Sequence, residues 1–145
     1  MGYYTSFEVS ASGLSAERLA MDVIANNIAN ANTTHTPQGG AFKRQLVVFS
    51  QKDDPTSGGD GVSDETGGQA GVQAVGVVQD QSPDRLQFDP SNPDADARGY
   101  VHYPNVSIVK EMVDMMAASR AYEANVSAIQ EARSMNTSVL NLLRS

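Results

Sequence analysis

The sequence predicts a mainly α-helical protein, in which an N-terminal and a C-terminal helix form an antiparallel, coiled-coil-like pair with a small β-containing, Gly/Pro-rich middle segment. Residues 1–34 contain no Pro, and residues 105–145 contain neither Pro nor Gly. All six Pro and all but two of the twelve Gly lie between these segments. Because Pro and Gly interrupt regular structure, we expect an N-terminal helix in 1–34, an insert in 35–104 and a long helix in 105–145.

The N-terminal helix has a start signal and two apolar stripes. Thr5 and Glu8 have the spacing of a capping box, so we expect Thr5 to cap this helix. One stripe repeats every seven residues, as in supercoiled helices, and comprises Phe7, Leu14, Met21 and Ile28. A second stripe lies on the opposite face and comprises Val9, Ala16, Leu19 and Val23.

The C-terminal helix shows the same arrangement over a greater length. Pro104 and Asn105 predict its start, because Pro and Asn favour the first positions of a helix. One apolar seam steps alternately by four and three residues and comprises Ile108, Met112, Met115, Ser119, Tyr122, Val126, Ile129, Arg133, Asn136, Leu140 and Leu143. The opposite face comprises Ala117, Ala121, Ala124, Ala128, Ala132, Met135, Val139 and Leu142.

Two opposed apolar seams on each helix indicate assembly. A helix on the surface of a monomer needs only one apolar stripe, which faces the core. A helix with two stripes must be covered on both sides, and a single partner helix covers only one of them. We therefore expect other copies or other proteins to supply the missing cover. The alternative is a monomeric bundle, in which the middle segment covers the second stripes.

The middle segment contains two predicted strands. Residues 42–50 and 72–79 are rich in β-branched and aromatic side chains. Between them, the Gly-rich residues 53–71 predict a flexible, largely solvated loop. Residues 83–99 are rich in Pro and Asp and predict an extended, irregular connection. The middle carries most of the acidic residues, so we expect it to face water.

Composition and motifs exclude several functions. The net charge of −7 argues against binding to nucleic acid or to anionic membrane surfaces. The chain has no Cys, and we find neither a membrane-spanning stretch nor a cleavable signal sequence. Asp94 and Asp96 resemble part of a calcium loop but lack its other ligands, so we expect a solvated turn. His35 and His102 lack the spacing of metal ligands. We therefore expect no catalytic residue, metal or cofactor.

A cluster of Asn residues lies near the end of the N-terminal helix and has two interpretations. Asn26, Asn27, Asn30 and Asn32 are poor helix formers, so they are expected to terminate the helix. They could also fix the register between packed helices, as a buried Asn does in coiled coils. The two interpretations are compatible. Asn125 on the long helix is a possible counterpart.

Several motifs resemble those of bacterial flagellar rod and hook proteins. Residues 11–18 and 21–33 are similar to the N-terminal signature of that family. The segments that resemble its proximal rod subunits are 89–96, 99–101, 103–106, 111–116, 118–125 and 134–136. The resemblance covers residues 7–50 and 72–143. The sequence departs from the family pattern at Asn136, and the Gly-rich loop 53–71 is either lengthened relative to the family or private to this sequence.

The resemblance implies a structural, non-enzymatic subunit of the proximal rod of the flagellar basal body. Such proteins are exported by the flagellar type III apparatus without a cleaved signal and polymerise in the periplasm into a hollow, torque-transmitting tube. The implied partners are further copies, rod subunits of the FlgB, FlgF and FlgG types, the rod–MS-ring adaptor, the MS ring and the export apparatus. The alternative function is a small coiled-coil adaptor that captures one partner helix.

We expect the helix seams to carry the assembly contacts, with Arg18 and Arg120 supplying polar links between subunits. The predicted assembly residues on the first helix are Phe7, Leu14, Arg18, Met21, Ile24, Asn26, Asn27, Ile28 and Asn30. On the second helix they are Ile108, Met112, Met115, Met116, Arg120, Tyr122, Asn125, Val126, Ile129, Met135, Leu140 and Leu143.

Overall fold

The fold consists of two long terminal helices and two small antiparallel sheets. A computed structural model describes residues 2–52 and 71–142. The elements in chain order are α1 (Gly2–Ala29), β1 (Gln45–Gln51), β2 (Val72–Gln79), β3 (Arg85–Phe88), β4 (Tyr100–Tyr103) and α2 (Ile108–Leu142). This architecture confirms the predicted fold class. The predicted loop 53–71, apart from Gly71, lies outside the described residues, as does Leu143.

The two helices run antiparallel. Gly13 lies against Asn125, and the Asn27 side chain donates a hydrogen bond of 2.9 Å to Glu111. In both pairs the residue numbers add to 138, so positions that rise along α1 fall along α2. The same register places Gly2 opposite position 136, and the end of α2 therefore extends past the first described residue of α1.

The start of α1 differs from the prediction. The helix begins at Gly2, so Thr5 lies within its first turn, and the prediction that Thr5 caps the helix was wrong. Neither Pro nor a strongly unfavourable sequence separates Gly2 from Thr5, so the helix continues toward the N-terminus.

The start of α2 also differs from the prediction. The helix begins at Ile108, where the Ser107 carbonyl accepts the N–H of Glu111 at 2.9 Å. Asn105 is not the cap, because its side chain bonds elsewhere. Its Oδ1 accepts the N–H of Arg44 at 2.8 Å, and its Nδ2 donates to the Asp80 carbonyl at 3.1 Å. Asn105 thus joins the strand segments to the start of α2.

Asn side chains terminate α1, as one of the two interpretations predicted. Asn30 Nδ2 donates to the carbonyl oxygen of Asn26 at 2.9 Å, and the Asn30 carbonyl accepts the N–H of Thr33 at 3.0 Å. Thr33 Oγ1 also donates to Asn30 Oδ1 at 3.2 Å. These local bonds replace the helical ladder beyond Ala29.

Strands β1 and β2 form an antiparallel pair that lies along α1. The register runs from Gln45 opposite Gln79 to Gln51 opposite Val72, with an irregularity between Val48 and Phe49. Strand β2 has the predicted bounds, whereas β1 begins three residues later than predicted. At the far end of the pair, the N–H of Val72 donates to Ser12 Oγ at 3.0 Å.

Much of the second stripe of α1 is covered within one chain. Ala16 and Val23 are buried, and Val9 and Leu19 are half-buried. Gly71 approaches Ser12 so closely that an added Cβ would clash with its side chain. The expectation that other copies must supply the cover was therefore wrong for Ala16 and Val23, which one chain buries by itself.

Strands β3 and β4 form a second antiparallel pair, so the prediction of an irregular connection over 83–99 was wrong for residues 85–88. Aromatic contacts stabilise this pair despite the flanking Pro residues. The rings of Phe88 and Tyr100 meet edge-on at 5.3 Å, and the Arg85 guanidinium lies 5.3 Å from the centre of the Tyr103 ring. Gly99, with a φ of 81°, returns the chain from one strand to the other.

Candidate assembly interface

A buried polar junction joins both helices to the first strand. The Glu111 side chain is fully buried, and its Oε1 accepts a hydrogen bond of 2.5 Å from Arg44 Nε. Its Oε2 accepts one of 2.9 Å from Asn27 Nδ2. Arg44 also reaches Asp114 Oδ2 at 3.1 Å. Because a buried carboxylate is stable only when it is paired and hydrogen-bonded, the junction holds the start of α2 against α1 and β1.

Asn27 fixes the position of β1 on α1. Its Oδ1 accepts the N–H of Gln45 at 2.9 Å, and its Nδ2 donates to the Gln45 carbonyl at 2.8 Å. The Asn27 amide thereby bonds both backbone groups of Gln45, as the backbone of a neighbouring strand would. Asn27 is fully buried, so it sets the register of α1, α2 and β1 within one chain.

Sequence reasoning did not find Arg44 and Glu111. The available signals were a basic residue directly before a predicted strand and an acidic residue inside the apolar start of α2. Neither signal identifies its partner, because the two residues are 67 positions apart in the chain. Only the docking of β1 on α1, which places the preceding Arg44 beside the start of α2, brings the two charges together.

The predicted assembly residues of α1 differ in how far they are exposed. Phe7 is 50% exposed, and Arg18 and Asn26 are also exposed. The remaining predicted residues, apart from buried Asn27, are half-buried: Leu14, Met21, Ile24, Ile28 and Asn30.

The predicted seam of α2 faces α1 only in its central part. The half-buried residues there are Met115, Ser119, Tyr122, Asn125, Val126 and Ile129. The exposed predicted residues are Ile108, Met112, Met116, Arg120, Met135 and Leu140. A repeat of 3.5 residues drifts around a straight helix of 3.6 residues per turn, so the ends of the seam turn away from α1.

Exposed apolar side chains form two patches at opposite ends of α2. The head patch comprises Val109, Met112, Val113 and Met116, which are 54–74% exposed. The tail patch comprises Met135, Val139 and Leu142, which are 46–76% exposed. Contiguous exposed apolar surface of this kind is typical of a protein–protein contact site.

The β1–β2 pair also exposes apolar side chains. Its exposed members are Val48, Phe49, Val72, Val75, Val77 and Val78. These strands therefore face water in one copy, as expected, although their exposed side chains are apolar and not acidic. Their β-branched side chains predicted strands. Val77 and Val78 are consecutive in β2 and lie on opposite faces of the pair, so the exposed apolar side chains are not confined to one face.

Arg18 and Arg120 are placed where they can reach another molecule. Both side chains are exposed on the helices. Within residues 2–52 and 71–142, neither guanidinium forms an ion pair with a carboxylate. Their role as polar links between subunits stays a prediction.

The acidic residues of the 83–99 segment organise turns. Asp96 Oδ1 accepts the N–H groups of Arg98 at 2.8 Å and Tyr100 at 2.9 Å. The bond from Tyr100 is the main cause that lowers the pKa of Asp96. Asp94 accepts a bond of 2.7 Å from Thr34 Oγ1. These contacts confirm the predicted turn with Asx-type hydrogen bonds.

Two further observations concern other kinds of site. No three His, Asp or Glu side chains in the described ranges are grouped so as to hold a metal ion. Over the same ranges, neither helix combines the length and the apolar character needed to cross a membrane.

Comparison with known proteins finds two family models and several relatives. The model for "Flagella basal body rod protein" matches residues 7–34, and the model for "Flagellar basal body rod FlgEFG protein C-terminal" matches residues 97–142. A protein of Borreliella burgdorferi named flagellar basal-body rod protein FlgC is 44% identical over 99% of each chain. Proteins with the same name from Escherichia coli O6:H1 and Bacillus subtilis are 38% and 36% identical and are matched over at least 98% of each chain.

Proposed function

The chain belongs to the FlgC family of flagellar basal-body rod proteins and is a structural subunit of the rod, and from this premise we propose that it polymerises through its terminal helices into a hollow, torque-transmitting tube. The observation that carries the proposal is the exposed apolar surface at both ends of α2. Contact with neighbouring subunits would remove this surface from water, which is favourable.

The buried junction suits a subunit that carries mechanical load. Glu111, Arg44 and Asn27 join three elements through hydrogen bonds of 2.5–2.9 Å. Sliding of α2 along α1 would separate Glu111 from both partners and leave a buried charge unpaired, which is strongly unfavourable. The junction therefore opposes relative movement of the helices when torque passes through the subunit.

We further propose the partners and the location that accompany rod assembly. The partners are other copies, rod subunits of the FlgB, FlgF and FlgG types, the rod–MS-ring adaptor and the MS ring. The flagellar type III apparatus exports the chain without a cleaved signal, and the chain assembles in the periplasm. The full-length similarity to proteins named basal-body rod proteins supports this proposal.

The same similarity bears on the two other functions considered. Relatives matched over almost their whole length are named as rod proteins, so the adaptor function is not favoured. We also propose that the chain has no catalytic activity. The acidic side chains of the 83–99 segment hold turns, and the buried Glu111 is paired on both of its oxygens.

A complementation experiment tests the proposed function. The variant Met112→Glu places a charge in the head patch, where the native side chain is 55% exposed and makes a small contribution to the fold. In a bacterium that lacks its own FlgC, we expect the unchanged chain to restore swimming and the variant to lose at least nine-tenths of it. Gln87→Glu adds the same charge at an exposed position on β3 and is the matched control. Full swimming with Met112→Glu would refute the proposal. So would basal bodies that lack the chain altogether, isolated from cells that produce the unchanged chain.

A further inference from the structure

We propose that one face of the β3–β4 hairpin is a docking surface for a segment of a different rod protein that carries both basic and apolar side chains. We call this surface the hairpin face, and it comprises Leu86, Phe88, Tyr100 and His102. The inference rests on the proposed function, because it takes the partner to be another protein of the rod. It goes beyond that function, because it assigns a surface that belongs to neither helix and states the chemistry of its partner.

The strand register places the four side chains of the hairpin face on one side. Leu86 pairs with His102 and Phe88 pairs with Tyr100, and residues opposite each other in a strand pair share a face. The other side of the hairpin carries Val101, which is fully buried. That side therefore packs on the rest of the chain, and the hairpin face points outward.

The hairpin face exposes large apolar side chains. Phe88 is 63% exposed, Leu86 is 57% exposed and Tyr100 is 39% exposed. Among the described helices and strands, β3 and β4 contact only each other, so no other helix or strand in that part of the chain covers the face. A cluster of exposed apolar side chains of this kind is typical of a surface that binds another protein.

The two aromatic side chains of the hairpin face are held in place within one copy. The rings of Phe88 and Tyr100 meet edge-on at 5.3 Å. The Phe88 ring also packs on Gly99, where an added Cβ would lie 3.0 Å from Phe88 Cε2. Aromatic side chains that are already ordered lose little conformational freedom on binding, and they contribute much of the affinity of protein–protein contacts. The hairpin face is therefore preorganised for a partner.

The turn that joins β3 to β4 borders this face with negative charge. It contains Asp89, Asp94 and Asp96 and a single basic residue, Arg98. Each of the three carboxylates accepts a hydrogen bond from a neutral hydroxyl or backbone N–H group. Within the residues that the structure describes, none of the three forms an ion pair. Their charge is therefore available to a molecule that binds beside them.

This charge determines the chemistry of the partner. A negative border attracts Lys and Arg side chains and repels nucleic acid and anionic lipid, so the partner is a protein segment. The segment must combine basic residues with apolar side chains that cover the exposed rings. Because the chain carries a net charge of −7, charge complementarity favours a different, more basic protein over a second copy.

Photo-cross-linking in isolated basal bodies tests the identity of the partner. We would replace Phe88 with p-benzoylphenylalanine in the full-length chain, in a bacterium that lacks its own FlgC, and identify the cross-linked peptides by mass spectrometry. Tyr100 provides a second position on the same face, and Gln87, which is exposed on the other side of β3, is the matched control.

We expect positions 88 and 100 to cross-link to one rod protein other than this chain, at least fivefold more than position 87. The cross-linked segment should contain more Lys and Arg than Asp and Glu. Cross-links to a segment without that excess would overturn the proposal.

Removal of charge tests the complementarity. The double variant Asp89→Asn/Asp94→Asn removes two negative charges and keeps side-chain oxygen atoms that can accept the same hydrogen bonds. We expect cross-linking from position 88 to fall at least threefold. The matched control, Glu123→Gln/Glu131→Gln, removes two charges at exposed positions of α2 and should leave the yield unchanged. Equal yields from the two double variants would contradict the proposal.

The cross-linking experiment also separates failure of this contact from failure of the proposed function. Basal bodies that contain the chain but show no cross-link from positions 88 and 100, or cross-links only to other copies, would refute the contact and leave the rod function in place. Absence of the unchanged chain from basal bodies would instead refute the rod function, on which the inference rests.

Discussion

Glu111 illustrates how single residues determine this fold. It lies in an apolar part of α2, is fully buried and binds Arg44 and Asn27, which come from a strand segment and from the other helix. A hydrophobic residue at this position would pack against α1 in any rotation or register. The carboxylate requires one arrangement, because only that arrangement supplies both of its donors.

Replacing Arg44 with Met should reduce the free energy of unfolding by about 3–5 kcal/mol, because it leaves the buried Glu111 carboxylate without its charged partner. Urea denaturation followed by circular dichroism measures the change. The double variant Arg44→Met/Glu111→Met should recover most of the loss, since it removes both charges together.

The matched control is Lys43→Met, which breaks the more exposed pair with Asp84. That pair should contribute about 1 kcal/mol or less. Equal losses from Arg44→Met and Lys43→Met would show that the junction has no special role.

Asp80 provides a prediction about pH. Ser82 donates from Oγ at 2.6 Å and from its N–H at 2.9 Å to Asp80 Oδ1, and these bonds lower the pKa of that carboxyl. The contribution of these bonds to stability is therefore fully present above the ordinary pKa of Asp and is lost as the pH falls through the lowered value. Titration by NMR should show the pKa of Asp80 rising in Ser82→Ala, while the pKa of Asp96 stays unchanged. A constant pKa for Asp80 would contradict this account.

At the scale of elements, the two helices differ in how they are covered. Helix α1 lies between α2 and the β1–β2 pair, which bury Ala16 and Val23. Among the described helices and strands, α2 contacts only α1, and Glu111 and Ala118 are the buried residues along it. The two helices have similar patterns in the sequence, but the insert docks on α1, so of the two helices α2 has most of the exposed apolar side chains.

The close crossing at Gly13 gives a prediction for the helix pair. A Cβ at this position would lie 2.9 Å from Asn125 Nδ2, so Gly13→Ala should destabilise the chain despite the better helix propensity of Ala. In the background Asn125→Ala, the obstacle is gone, and Gly13→Ala should instead stabilise the chain by about 0.5–1 kcal/mol. Thermal unfolding of the four variants measures this change of sign. The same effect in both backgrounds would show that Asn125 does not limit the approach of the helices.

At the scale of the whole molecule, periodic patterns could be predicted from the sequence, whereas contacts between distant segments could not. The repeats that include Leu14 and Val126 predicted two helices, because helix periodicity is local. The docking of β1 on α1 depends on Asn27 and Gln45, whose pairing has no local signal. Strand β3 was missed for the same reason, because its partner Tyr100 lies beyond a Pro-rich turn.

The sequence predicted only part of the candidate assembly surface. The sequence identified Met112, Met116 and Met135 as seam residues, and their side chains are exposed at the two ends of α2. It also assigned Asn27 to the assembly surface, where the structure instead buries it within the chain. An apolar stripe shows that a helix face needs cover, but only the packed structure shows which part the chain covers itself.

Oxidative footprinting of the methionines tests the central claim, that neighbouring subunits cover the apolar surface of α2. Met112, Met116 and Met135 are 52–55% exposed in one copy, and the half-buried Met21 and Met115 serve as internal controls. Mass spectrometry would compare hydroxyl-radical oxidation of the free chain with that of the chain in isolated basal bodies. The account predicts at least fivefold protection of the three exposed methionines in the basal body, and less protection of the two controls. Equal oxidation of the three exposed methionines in both states would contradict it.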